Sequence, residues 1–210
     1  MESPPKPKRA VAWSGVGAAV GAVCWMTMPW LQIVTFGSRP YVGTVYDIGS
    51  LLGLGLLLAG VAGLSTVIGR PGRTGRVALG ATGLGLCCLG VLAAESVAAY
   101  VAAGFVPVPA TGGDPAGLVR TWLAITGYAL ALSGTGLIGV VLHRRPDPSA
   151  VTVALCLLTP VVPVLVVLAG TTLPLPVWMV VVRTSALVLP FGVAWVALGR
   201  VVRVATTGRT

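Results

Sequence analysis

Along this chain apolar residues run in long unbroken blocks instead of alternating with polar ones. Six blocks stand out, at 11–34, 48–68, 77–101, 119–142, 150–170 and 177–202, parted by polar or Pro/Gly clusters. Each approaches the ~20 residues that carry a helix across a bilayer. Only 171–176 divides the last two, and Pro174 and Pro176 favour a turn there over a continuing helix. The pattern therefore predicts an all-α fold, a polytopic membrane helix bundle of about six transmembrane helices. Residues 10–202 form one transmembrane domain, with a basic tail at 1–9 and a second tail at 203–210. The loops are too short to hold a separate soluble domain.

Composition agrees. Hydrophobic residues make up 56% of the chain and charged residues 9%, against roughly 25% charged in a soluble domain. Such a surface cannot be dressed for water. The net charge of +9 is not a nucleic-acid footprint, because the arginines lie beside apolar runs and no basic cluster alternates with aromatics. No nucleic-acid partner is expected.

Where the charge sits predicts orientation. Lys6, Lys8 and Arg9 precede the first block; Arg70, Arg73 and Arg76 fill the second connection; Arg144 and Arg145 fill the fourth; Arg200, Arg203 and Arg209 close the chain. Alternate connections carry only Arg39, Arg120 beside the third, and nothing in the fifth. Lys/Arg excess marks the cytoplasmic side, so both termini are expected in the cytosol. Trp30, Tyr41, Tyr46, Tyr100, Trp122 and Trp178 then fall near the outer boundary and Trp13 and Trp195 near the inner one, as an interfacial belt. The basic start before an apolar run resembles a signal peptide, but 10–34 exceeds a 7–15-residue signal core and lacks a convincing A-x-A site. It is expected to stay as the first helix. Gly, Ala, Val and Arg in excess, with two Lys, point to a GC-rich prokaryotic gene and hence to the cytoplasmic (cell) membrane.

In lipid, helices associate through close packing and interhelical hydrogen bonds. Small residues at four-residue spacing supply candidate seams: Ala10, Ser14, Ala18 and Ala22, with Gly17 and Gly21, in the first block; Gly90, Ala94 and Ala98 in the third; Gly127, Ala131, Thr135 and Gly139 in the fourth. Pro160, Pro163 and Pro190 would kink the last two helices, either as hinges or as ordinary features of membrane helices.

Two charges fall well inside blocks, away from their ends, Glu95 and Arg183. Each lies about 9 Å from its outer end at 1.5 Å per residue, and intramembrane charges usually face the bundle interior or water. The expectation is a buried Glu95–Arg183 pair, with Thr126, Tyr128 and Thr184 completing its hydrogen bonds. It would fix helix register or line a polar site for a small ion. Otherwise Arg183 snorkels to the interface and never meets Glu95. Asp47, Asp114 and Arg120 at the outer rim read as solvated loop charges or, with Glu95, as a vestibule.

The reactive inventory is thin. Both lysines lie in the N-terminal tail, His143 is the sole histidine, and neither His-Glu-x-x-His nor a phosphate-loop sequence occurs. Cys24, Cys87, Cys88 and Cys156 lack Cys-x-x-Cys spacing and read as packing residues. No catalysis, cofactor or metal is expected. The leading functional expectation is a non-catalytic subunit or accessory protein of a membrane complex, its partners being the bilayer and another membrane protein or a second copy of itself. The alternative is a small-solute or ion transporter or channel component working through Glu95 and Arg183.

Overall fold

The structure, a computed structural model, describes residues 8–37, 41–68, 72–109, 115–145, 149–172 and 179–207. Six helices carry these residues: α1 Lys8–Phe36, α2 Val45–Ile68, α3 Arg73–Ala102, α4 Pro115–His143, α5 Ala150–Thr172 and α6 Met179–Thr207. Apolar blocks fold this way because, without water, each backbone polar group must be satisfied within its own segment. Five of the six, all but α5, are long and apolar enough to span a membrane. The apolar stretch described in α5, Ala150–Val166, is shorter, about 26 Å at the helical rise. The fold is thus all-helical, in the form of a multi-pass membrane protein. The Pro174/Pro176 turn lies outside the described residues.

Consecutive helices pack on one another, and α6 returns to α1 to close the ring. Helix α6 also touches α2 and α4 across the middle. The centre of the bundle is accordingly filled from α6, by Val188, Phe191, Trp195 and Leu198, all essentially buried. Trp195 corrects the belt reading: its side chain is 0% exposed, and the indole Nε1 donates to Thr135 Oγ1 at 3.1 Å. Trp13 and Trp122, by contrast, are largely exposed on the outside of the bundle.

The seams rest on missing side chains. A Cβ at Gly15 would stand 2.6 Å from the Gly199 carbonyl, joining α1 to α6; one at Gly21 would stand 2.6 Å from the Gly53 carbonyl, joining α1 to α2. A Cβ at Gly85 would come within 2.6 Å of the Gly127 carbonyl across the α3–α4 crossing. On α4, Gly127 faces Leu89, Ala131 is buried, and Gly139 faces Cys156 of α5. The third stripe lies elsewhere: nothing approaches Gly90 within 4 Å, and Ala94 and Ala98 are exposed. The packed face of α3 is the one bearing Ala78, Thr82, Leu89 and Ala93. Pro160 has a structural seat, its ring lying where a side chain at Gly136 of α4 would otherwise be, 2.9 Å from that Cβ position.

One end of the bundle carries a two-stranded antiparallel pair, β1 Tyr41–Gly43 with β2 Val108–Pro109. Just after β1, the Asp47 carboxylate accepts from the Thr44 backbone N–H at 2.6 Å and from its hydroxyl at 2.9 Å. That is the N3-to-N-cap half of a capping box, and it sets the start of α2 at Val45, earlier than the apolar block at 48–68. Asp47 is therefore a helix cap and not a solvated loop charge. Phe36 stacks near Tyr41 at 4.5 Å, and Thr35 shares a 2.7 Å hydrogen bond with the Tyr46 hydroxyl. At the opposite end, Arg9, Arg73, Arg76, Arg144, Arg200 and Arg203 are exposed. Arg145 is not merely one of this set: its Nη2 donates to the Ile68 carbonyl at 2.8 Å, capping the C-terminus of α2, where a cation is favoured by the helix dipole.

Candidate functional site

The charged residue deepest in α3, Glu95, is seven positions from the end of its helix, about 11 Å along the axis. Its neighbour across the α3–α4 crossing is Arg120, which reaches back from the first turns of α4. Arg120 Nε and Nη2 both donate to Glu95 Oε1, at 2.9 and 2.6 Å. The side chains are 44% exposed at Glu95 and 35% at Arg120, so the pair sits on the outer flank of the bundle.

This replaces the Glu95–Arg183 pairing read from depth. Arg183 lies exposed on α6, whose principal packing partners are α1, α5, α2 and α4 rather than α3. Equal depth placed the two charges at one level but said nothing about direction around the bundle. Hairpin adjacency decides it: α3 and α4 are consecutive and closely packed, so Arg120 is the cation within reach. The other expected members also part company. Thr126 is exposed on α4, Thr184 is half-buried on α6, and Tyr128 turns its ring toward Trp25, with centroids 6.0 Å apart.

The interior beside Tyr128 is filled. The gap among Trp25, Leu89, Tyr128, Phe191 and Leu187 admits no water. Deeper, Thr82, Thr135 and Thr159 return their hydroxyls to the carbonyls of Ala78, Ala131 and Leu155 at 2.8–3.0 Å. A threonine hydroxyl bonded one turn back is satisfied within its own helix and can sit in an apolar core at little cost. Among the described residues no buried side-chain nitrogen or oxygen lacks a partner, and no group of three His, Cys, Asp or Glu could hold a metal.

Two features remain on the outside. One is the Glu95–Arg120 pair, flanked on α3 by Gly90, Ala94 and Ala98. The other is a groove of about 820 Å³ at the basic end between α5 and α6, which Arg145 and Arg200 line. In the sequence both arginines read only as topological charge. Arg145 stands one turn past the fourth apolar block and Arg200 in the last turn of the sixth, but nothing in spacing says that α5 and α6 leave a space between them.

Fold and surface together define a multi-pass α-helical membrane protein with a closed, apolar interior and polar groups placed on its flanks. Comparison with known protein families, with curated proteins and with solved structures finds no match to this chain.

Proposed function

We propose that this protein is a non-catalytic subunit or accessory protein of a membrane complex, crossing the cell membrane six times with both termini in the cytosol. The observation that carries the reading is the Glu95–Arg120 pair on the outer flank of α3 and α4. A charge pair facing hydrocarbon is costly and usually turns toward protein or water. Beside it, Gly90, Ala94 and Ala98 present a surface without bulk, which lets a second backbone approach. The occupant that suits both is a transmembrane helix of another membrane protein, bringing a polar side chain to the pair. The filled interior beside Tyr128 supports the same reading over transport, since a path through the bundle would have to displace Trp25 and Phe191.

Photocrosslinkable residues at Ala94 and, as a control, at Val164 on the exposed side of α5 test this in native membranes. Adducts with a distinct membrane protein from Ala94 alone are expected. Ala94→Trp should then abolish co-purification in mild detergent while leaving the melting temperature of the isolated chain unchanged. Adducts of the chain with itself would assign the face to homo-oligomerisation, and a lone monomer yielding only lipid adducts from both positions would end the proposal.

Orientation is tested separately. Tags carrying a single cysteine at either terminus should stay unlabelled by a membrane-impermeant thiol reagent outside intact cells and react after permeabilisation, because the basic connections hold that end inside. Labelling of intact cells at either tag would reverse the assignment.

A further inference from the structure

The groove at the basic end has the two-part character of an amphiphile. Its polar side chains, Arg145, Ser149, Thr152 and Arg200, gather toward the basic end, where Val204 and Ala205 also line it, and toward mid-membrane its walls are aliphatic, with Leu155, Val193 and Val196. On α6, Arg200 and Val193 are seven residues apart, which places apolar wall about 10 Å along the helix from the cation. The groove opens outward: Val193, Val196 and Arg200 are all exposed on the surface of the bundle, the surface that lipid would contact. Arg145 is fixed in place by the Ile68 carbonyl and still lines the groove. Ser149 is fixed too, accepting at 3.0 Å from the Thr152 hydroxyl.

From this arrangement we infer that the groove between α5 and α6 is a binding site for an anionic glycerophospholipid. The phosphate lies between Arg145 and Arg200, and an acyl chain runs along the walls toward mid-membrane. Two guanidiniums recognise a phosphate through charge and hydrogen bonds together. Basic pockets between transmembrane helices are a recurring form of anionic headgroup site. A soluble anion would use the arginines but gain nothing from the walls, whereas a zwitterionic lipid would use the walls but bring no net charge to the cations. The occupant that satisfies both halves is an anionic lipid. This site is on a different flank from the α3–α4 face and stands whether or not a protein partner binds there.

The test uses the full chain in detergent, with phosphatidylglycerol or phosphatidylcholine added as mixed micelles. Retained lipid is read by native mass spectrometry and protection by thermal unfolding. Phosphatidylglycerol is expected to be retained in preference and to raise the melting temperature. Arg200→Gln should weaken that retention about five-fold, as for one basic contact to an anionic lipid. Ala197→Trp, which changes no charge but fills the groove that Ala197 also lines, should weaken it comparably. Both variants should melt like the parent in phosphatidylcholine. Arg76→Gln, a loss of exposed charge outside the groove, should change nothing. Three results would overturn the inference: equal retention of the two lipids, an effect of Arg76→Gln as large as that of Arg200→Gln, or equal protection by inorganic phosphate without lipid.

Discussion

Gly15→Val should be among the most damaging single substitutions in this protein, lowering its melting temperature in detergent by several degrees and its stability by about 3 kcal/mol. Helices α1 and α6 meet with no side chain between Gly15 and Gly199. A Cβ on Gly15 would lie 2.6 Å from the Gly199 carbonyl oxygen and 3.2 Å from the Arg203 backbone nitrogen. Those are main-chain atoms of a helix and cannot rotate aside, so the added carbons must separate the two helices along their length. The same holds for Gly85→Val, where the obstacle is the Gly127 carbonyl. Gly90→Ala is the matched control. Nothing lies within 4 Å of Gly90, and alanine is the better helix former by about 0.5–1 kcal/mol, so the variant should melt at or slightly above the parent temperature. Thermal unfolding of the three variants in one detergent decides the matter: if Gly15→Val and Gly90→Ala melt together, the α1–α6 seam is not where the geometry puts it.

That contrast also shows which part of the architecture could be read from residues alone. The helices were legible because a backbone in hydrocarbon has so few options, and an unbroken apolar block selects the helix. Their ends were less so: α2 begins at Val45 because Asp47 reaches back to Thr44, an interaction that hydropathy does not register. The directions the helices face were hardest. A helix that is apolar all round offers no polar face to mark its outside, and small residues occur on several faces of α3. Gly90, Ala94 and Ala98 keep the four-residue spacing as regularly as Gly127, Ala131 and Thr135, yet the first set looks outward and the second inward. Depth suffered the same loss of direction. It set Glu95 level with Arg183, while the packing of α3 on α4 brings Arg120 to Glu95. Arg145 is a topological charge by sequence, and it also caps a helix through a carbonyl 77 residues away in sequence, a contact that only tertiary packing can create.

Trp195→Ala is the second large effect to expect, about 3–5 kcal/mol, the range for removing a buried tryptophan. The indole is where four helices come together. It projects from α6, stacks near Phe191 at 6.0 Å, lies against α2 where Gly60 leaves room, and donates to Thr135 on α4. Gly60 in turn abuts Ala18 of α1. Truncation would leave a cavity bordered by several helices at once, and relaxation of any one of them could fill only part of it. Trp195→Phe keeps most of the volume and deletes the donor. Thr135 remains bonded to the Ala131 carbonyl, so that variant should cost far less. Combined with Thr135→Val, it should show a coupling of about 0.6 kcal/mol, the average for hydrogen bonds between membrane helices, and no more than about 1.7 kcal/mol. The comparison that isolates the central position is Trp122→Ala: Trp122 is 66% exposed, so its loss opens no enclosed cavity and should shift the melting temperature little. Equal losses from Trp122→Ala and Trp195→Ala would mean that Trp195 anchors to the interface as belt tryptophans do and that the middle of the bundle is packed by something else.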